Sequence, residues 1–348
     1  MNLKRKTKII CTLGPAVDSD EKVRELMLNG MDIARFNFAH QTQEEHQKSF
    51  EKVCRIEKEL GLNVLKMMDT KGPKIRFEVF ENGEIALKET QKFIITTKSV
   101  IGNEKIAAVN YKGFANDLKC GDLVYIDDGL LQLKVVEVAE EVVCVVIRGG
   151  VVSNKKGINL PNVNISASSI TQEDEKDIQF GMKLGFDYVS ASFTKNKADI
   201  VKLRDLCEDS QMQIIAKIEN REGINNVKEI LEVSDGVVVA RGDMGVEIPF
   251  EELPSVQKEI VSLAFKMKKP AVVATQMLDS MIWNLLPTRA ESTDVANAVF
   301  DGAAAVMLAA ETAIGKHPIE TLCVMRRLLE RAEQDIGKFG RMANIAST

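Results

Sequence analysis

No apolar run in the sequence approaches the roughly 20 residues needed to cross a bilayer, which excludes a helical membrane span. The N-terminal stretch MNLKRKTKIICTLGP has basic residues and a short apolar run, but Gly14-Pro15 ends it too soon for a secretory signal. No long basic stripe stands out and the net charge is −5, so nothing points to nucleic acid. The six cysteines (Cys11, Cys54, Cys120, Cys144, Cys207, Cys323) are scattered, with no CxxC or other metal-ligand spacing. They read as reduced, mostly core-packing thiols, and the expected location is the cytoplasm. There is no P-loop, dinucleotide fingerprint or protein-kinase Gly-rich loop, so nucleotide binding would need another device. What remains is a globular composition: 45% hydrophobic, 28% charged and only 5% aromatic.

Apolar strand-like runs recur, each followed by an amphipathic helical segment. They are Lys8-Cys11, Asp32-Phe36, Val64-Met68, Tyr188-Ala191, Gln213-Ala216, Gly236-Val239, Ala271-Ala274 and Ala305-Leu308. The helical patterns between them include 20–28, 44–60, 173–184, 197–207, 224–233, 250–268 and 288–300, with a last one from Pro318 to about Ile336. Alternation of this kind predicts parallel strands joined by right-handed crossovers, and eight units predict a (β/α)₈ TIM barrel rather than an open sheet. From Gly72 to about Lys156 the helical period vanishes. Short strands punctuated by Asn82-Gly83, Asp127-Asp128-Gly129 and Gly149-Gly150 take its place. This predicts a small all-β domain, 72–156, inserted after the third barrel strand and acting as a lid, between barrel segments 1–71 and 157–348.

The stretch Gln213-Gly245 organises the rest. Two apolar runs end abruptly in charge, Lys217 and Glu219 in the first, Arg241 and Asp243 in the second. Asp243 follows Glu219 by 24 residues, one strand-helix-strand unit, which predicts two carboxylates at the same end of neighbouring strands, able to share a divalent cation. The other strand ends carry Thr12, then Arg35 with Asn37 and His40, Asp69-Thr70-Lys71, Ser192, Asn220, Thr275-Gln276 and Glu311-Thr312. Cations beside hard oxygen ligands suit phosphoryl transfer with Mg²⁺ or Mn²⁺, because such a site clamps phosphate oxygens and neutralises charge. Taken singly, Arg35 or Glu219 reads better as a structural ion pair, and Thr275 as a helix cap. Their coincidence around one rim favours a site. His46 and His317 read as surface residues.

TKIICTLGPA, ARFNFAH, DTKGPKIR, KKGINLP, AKIENREG, VARGDMGVEIP, ATQMLDSM, PTRAE and DVANAVFDG, in that order, closely resemble pyruvate kinase over nearly the whole chain. The resemblance implies Mg²⁺-dependent transfer of the phosphoryl group of phosphoenolpyruvate to ADP, giving pyruvate and ATP. It implies that Arg35 and Lys217 clamp the transferring group, that Glu219 and Asp243 hold the metal, and that the Gly242-Asp243 backbone holds the substrate carboxylate beside Thr275. Arg76 and Lys156 would reach the nucleotide phosphates from the insert, and Asn37 and His40 would face the nucleotide from the barrel.

Three departures qualify it. Family members that need K⁺ bind it with an Asn, a Ser, an Asp and a Thr, near a Glu of the DTKGPEIR motif. Here Asn37, Asp69 and Thr70 remain, but the Ser is Ala39 and the Glu is Lys74, which implies K⁺ independence. Where the family usually reads LSGET this chain has Ala309-Ala310, removing a hydroxyl near proton delivery. The sequence ends at Thr348, soon after the last helix pattern, so the family's C-terminal effector domain is expected to be missing. The PTRAE helix, part of another family interface, leaves a homo-oligomer open. Two further readings stand beside the active enzyme: a catalytically weakened paralogue that binds phosphoenolpyruvate or acts as a scaffold, and a related barrel enzyme such as an aldolase.

Overall fold

The computed structural model describes residues 5–339. Eight parallel strands close into a barrel: β1 (Lys8–Thr12), β2 (Ile33–Asn37), β3 (Leu65–Asp69), β4 (Tyr188–Ala191), β5 (Gln213–Ile218), β6 (Gly236–Ala240), β7 (Ala271–Ala274) and β8 (Ala305–Leu308). Neighbours in sequence are neighbours in the barrel, and β8 closes it against β1. The expected TIM barrel is the fold that forms. Strand alternation explains why these apolar runs close: Ile10, Ile33, Met67, Ile215, Val238, Val272 and Met307 fill the barrel interior. Their neighbours Ile9, Ala34, Met68, Ile214, Val237, Val273 and Val306 face outward into a second layer under the helices. Both faces are dry, as a parallel sheet requires.

The helices start where capping chemistry permits. Thr42 with Glu45, Thr171 with Asp174, Asn196 with Asp199, and Thr288 with Glu291 each form a reciprocal capping box. The stretch read as one helix over 224–233 is broken at Asn226, giving Arg221–Asn225 and Val227–Val233. The Asn226 amide donates to the Lys195 carbonyl at 3.0 Å, a tertiary tie that sequence periodicity does not register. His46 corrects a second reading. It is buried, on one helix face with Phe50, Val53 and Ile56, and stacks on Phe38 at 4.1 Å. His317 is half-buried.

Between β3 and the helix Gln172–Leu184 lie a six-stranded sheet and a two-stranded one, with one four-residue helix, Phe114–Asp117. Their core, built on Phe77, Phe93, Phe114, Val124 and Leu133, is separate from the barrel's and takes in Ile158 and Leu160. The chain enters and leaves this insert side by side. Arg76 bridges Gly157, and the Ile158 N–H donates to the Ile75 carbonyl at 2.9 Å. Among the described residues no helix is long and apolar enough to cross a membrane.

Candidate active site

Strand register brings the polar residues to one rim. Thr12 pairs with Arg35, Asn37 with Asp69, and Asp69 with Ser190, all at C-terminal strand ends. At the centre is a buried ionic network. Asp69 accepts from Arg35 Nε at 2.6 Å and from Lys217 Nζ at 3.0 Å, and Lys217 also donates to Ser192 Oγ at 2.9 Å. Lys217 Nζ lies 3.0 Å from Glu219 Oε1, and Glu219 Oε2 accepts from the Phe193 N–H at 2.6 Å. Arg35 Nη1 donates to Thr12 Oγ1 at 2.9 Å. Both of the ion pairs that a structural reading would assign to Arg35 and Glu219 are present, but they belong to one network.

The ionisation states follow. Burial alone would lower the Lys217 ammonium, but Asp69 and then Glu219 outweigh it and push its pKa up, so the charge is fixed. Burial opposes ionisation of Asp69 as well, yet Arg35 and Lys217 hold its carboxyl below the ordinary value. Glu219 goes the other way: burial raises it, Lys217 pulls it down, and the Asp243 charge raises it again. The effect of the Asp243 charge on Glu219 places the two carboxylates in one electrostatic site. Asp243 Oδ1 is 3.2 Å from Lys74 Nζ, so three cations face three carboxylates there.

The second wall is backbone. Gly242 and Asp243 lie in the first turn of the helix Arg241–Glu247, where N–H groups have no intrahelical partners. A Cβ on Gly242 would lie 2.8 Å from Thr275 Cγ2, so this turn and Thr275 are in contact. Thr275 has φ of +75° and Gln276 +54°, a left-handed pair rather than a helix cap. For a β-branched residue that conformation costs about 1–3 kcal/mol and is held by its surroundings. Arg241 supplies the hold: its guanidinium donates to the Thr275 carbonyl at 2.6 Å and to Asp294 at 2.7 Å. Arg241 therefore shapes the rim instead of adding a cation to it. Glu311 also braces this loop, accepting from the Leu278 and Ala309 N–H groups.

Other expected residues lie further out. Asn37 Oδ1 accepts from the Ala39 N–H at 3.2 Å, and the Thr70 hydroxyl accepts from the Ser192 N–H at 3.0 Å. Lys74 meets Asp243 rather than Asn37, Asp69 or Thr70. His40 is exposed, and its pKa is lowered by burial of part of the ring and then by Arg76, Arg35 and Lys74, whose fields converge on it. Arg76 Nη1 donates to the Lys155 carbonyl, and Lys156 Nζ pairs with Asp127 at 2.8 Å within the insert. Asn220 caps the helix that follows it. Sequence reasoning missed Phe193, which acts through its backbone, and Asp174, which accepts from the Lys71 and Gly72 N–H groups at 2.9 and 3.2 Å. The Thr171–Asp174 capping pattern was the available signal for the latter.

A family profile described as "Pyruvate kinase, barrel domain" matches residues 4–322. The chain belongs to the pyruvate kinase family. Pyruvate kinase of Geobacillus stearothermophilus is 46% identical over 95% of this chain, and that of Bacillus licheniformis 45% over 95%. The chain spans 58% and 57% of the length of those two relatives. A crystal structure of a pyruvate kinase from Cryptosporidium parvum superposes with a TM-score of 0.92 at 40% identity, covering 95% of this chain and 70% of that one.

Proposed function

We propose that this pyruvate kinase family member transfers the phosphoryl group of phosphoenolpyruvate to ADP, giving ATP and the enolate of pyruvate, which takes up a proton. The observation that carries the proposal is the buried Arg35–Asp69–Lys217–Glu219 network opening beside the Gly242-Asp243 turn. Arg35 and Lys217 present fixed positive charge to the transferring group, whose charge spreads over its equatorial oxygens. Asp69 and Ser192 hold the Lys217 ammonium in place. The Gly242 and Asp243 N–H groups receive the substrate carboxylate, and Thr275 lies beside the enolate. Arg76, Lys156, Asn37 and His40 are assigned to the nucleotide.

Glu219 and Asp243 fit a divalent metal. They are hard oxygen donors, and burial followed by the nearby Asp243 charge raises the pKa of Glu219 despite Lys217, a rise that a bound cation would oppose. Among the described residues no cluster of three or more His, Cys, Asp or Glu could form a closed protein cage. Mg²⁺ or Mn²⁺ suits such a two-carboxylate site because it retains water and substrate oxygens. When bound, it would neutralise phosphate charge. Lys74 on Asp243 adds a fixed positive charge to the same centre, which supports K⁺ independence. The exposed Trp283, Leu285 and Leu286, just before the PTRAE helix, support a homo-oligomer, and the unpaired cysteines support the cytoplasm.

Pyruvate formation from phosphoenolpyruvate and ADP with Mg²⁺, with Lys217→Met as control, tests the reading. Turnover by the native chain and none by the variant is expected; a native chain without turnover favours the weakened paralogue motivated by Ala39 and Ala309-Ala310. Rates in K⁺ and in tetramethylammonium buffer should be alike, and a large K⁺ stimulation would overturn that part.

A further inference from the structure

Just past the end of β4, Phe193 has φ of +54°. For a bulky aromatic residue a left-handed backbone is strained, and it persists only where the surroundings hold it. Both neighbours are held. The Ser192 N–H donates to Thr70 Oγ1 at 3.0 Å and its hydroxyl to the Thr70 carbonyl at 2.6 Å, while the Thr194 hydroxyl donates to the Ala191 carbonyl at 2.9 Å. The turn aims the Phe193 N–H at Glu219 Oε2, 2.6 Å away. Since Oε1 lies 3.0 Å from Lys217 Nζ, both oxygens of that buried carboxylate are tied and its plane is fixed.

The ring of Phe193 leads to the insert. Gly72, where the chain leaves the barrel on its outbound crossing, has φ of +66°. A Cβ placed on it would lie 2.6 Å from Phe193 Cδ2 and 3.1 Å from Ser192 Cβ, so only the missing side chain lets the two turns touch. Gly72 is itself fixed from the barrel side, its N–H donating to Asp174 Oδ1 at 3.2 Å. The ring also borders a cavity of about 220 Å³, which Pro73, Ile75 and Ile158 of the two crossings help to line. It is packed at Gly72 with open space beside it, so a shift of the crossing has somewhere to move it. Two residues further on, Lys74 reaches Asp243 at 3.2 Å, which brings the same crossing to the second carboxylate.

We infer that Phe193 is a positioning residue for Glu219: its left-handed turn holds the carboxylate in the orientation that a divalent cation meets, and the contact of its ring with Gly72 ties that orientation to the outbound crossing of the insert. The inference rests on the reading of Glu219 and Asp243 as the metal pair. A turn that needed only its backbone bonds would be served better by glycine, which adopts positive φ without strain. By linkage, a cation on Glu219 and the seated crossing favour each other to the same extent.

Mn²⁺ binding to the full chain without substrates, read by electron paramagnetic resonance, tests this. Phe193→Gly tolerates the turn but removes the ring, and should weaken Mn²⁺ about tenfold, the low end for a lost partner of a metal ligand. Phe193→Leu keeps a branched side chain against Gly72 and should stay within about twofold of the native chain. Gly72→Ala should weaken Mn²⁺ in the native chain and change it less than about twofold in a Phe193→Gly background, where its Cβ meets no ring. Equal weakening in both backgrounds would mean that Gly72→Ala acts through its own backbone strain, and would overturn the inference. So would Phe193→Gly binding as tightly as Phe193→Leu, and this comparison decides if thermal melts show Gly72→Ala unfolded. Glu219→Gln is the control: native affinity there would remove the metal reading and the role of Phe193 with it. Weakened binding in Glu219→Gln beside native affinity in Phe193→Gly would remove the role of Phe193 alone.

Discussion

Arg35 shows how much of a residue's role its neighbours decide. Its guanidinium is held by Asp69 and Thr12, so its planar fork is fixed before any substrate arrives. Lysine can keep the charge but not the fork. Arg35→Lys should lower kcat/KM for phosphoenolpyruvate by about 10²-fold or more, in line with the loss of one transition-state donor, while KM for ADP changes little; steady-state kinetics with each substrate varied would check this. Glu247 makes a prediction about pH. Its folded pKa of about 7 lies above the ordinary 4.5, so its contribution to stability is fully present below pH 4.5 and is lost as pH rises through 7. Glu247→Gln should therefore raise the urea midpoint relative to the native chain at pH 8 and bring little change at pH 4.5. An equal shift at both pH values would contradict the assignment. The sequence made Lys217, Glu219 and Asp243 visible because a dry strand ending in charge is rare. It could not reveal that Arg241 turns toward the Thr275 carbonyl and Asp294, since that depends on a left-handed loop fixed only by tertiary contacts.

Among the elements, strands were the most legible. β-branched runs with both faces dry admit few alternatives, and the barrel follows from their number. Helix interiors were read from the same pattern less completely. The spacing of His46, Phe50, Val53 and Ile56 is a buried stripe, and the polarity of imidazole disguised its first member. His46 Nε2 donates to the His40 carbonyl at 2.9 Å, which lets a neutral ring sit in the core. Asp174 joins two elements. It caps the helix Gln172–Leu184 through Thr171 and accepts from the Lys71 and Gly72 N–H groups at the start of the outbound crossing. Asp174→Ala should destabilise the fold by about 3 kcal/mol, from a lost cap and buried donors left unmatched. Urea unfolding would measure it, and a change below about 0.5 kcal/mol would show that water replaces the carboxylate without penalty.

At the scale of the molecule, the insert has a hydrophobic core of its own beside the two apolar layers of the barrel, and the chain passes between them where Ile75 and Ile158 lie side by side. Replacing residues 74–159 by a short Gly-Ser linker should leave a folded barrel, because the ends to be joined are already adjacent. Near-ultraviolet circular dichroism should retain a cooperative thermal transition, while turnover with ADP disappears along with Arg76 and Lys156. Loss of the transition would mean that the barrel depends on the insert for folding. The network at the barrel mouth has a colloidal consequence too. Arg35, Lys217 and Lys74 are matched one for one by Asp69, Glu219 and Asp243, so the centre is nearly electroneutral and gathers little counterion atmosphere of its own. Added salt should therefore change the rate at which a phosphate ester is captured only modestly, because a centre whose charges cancel projects little net field for ions to screen.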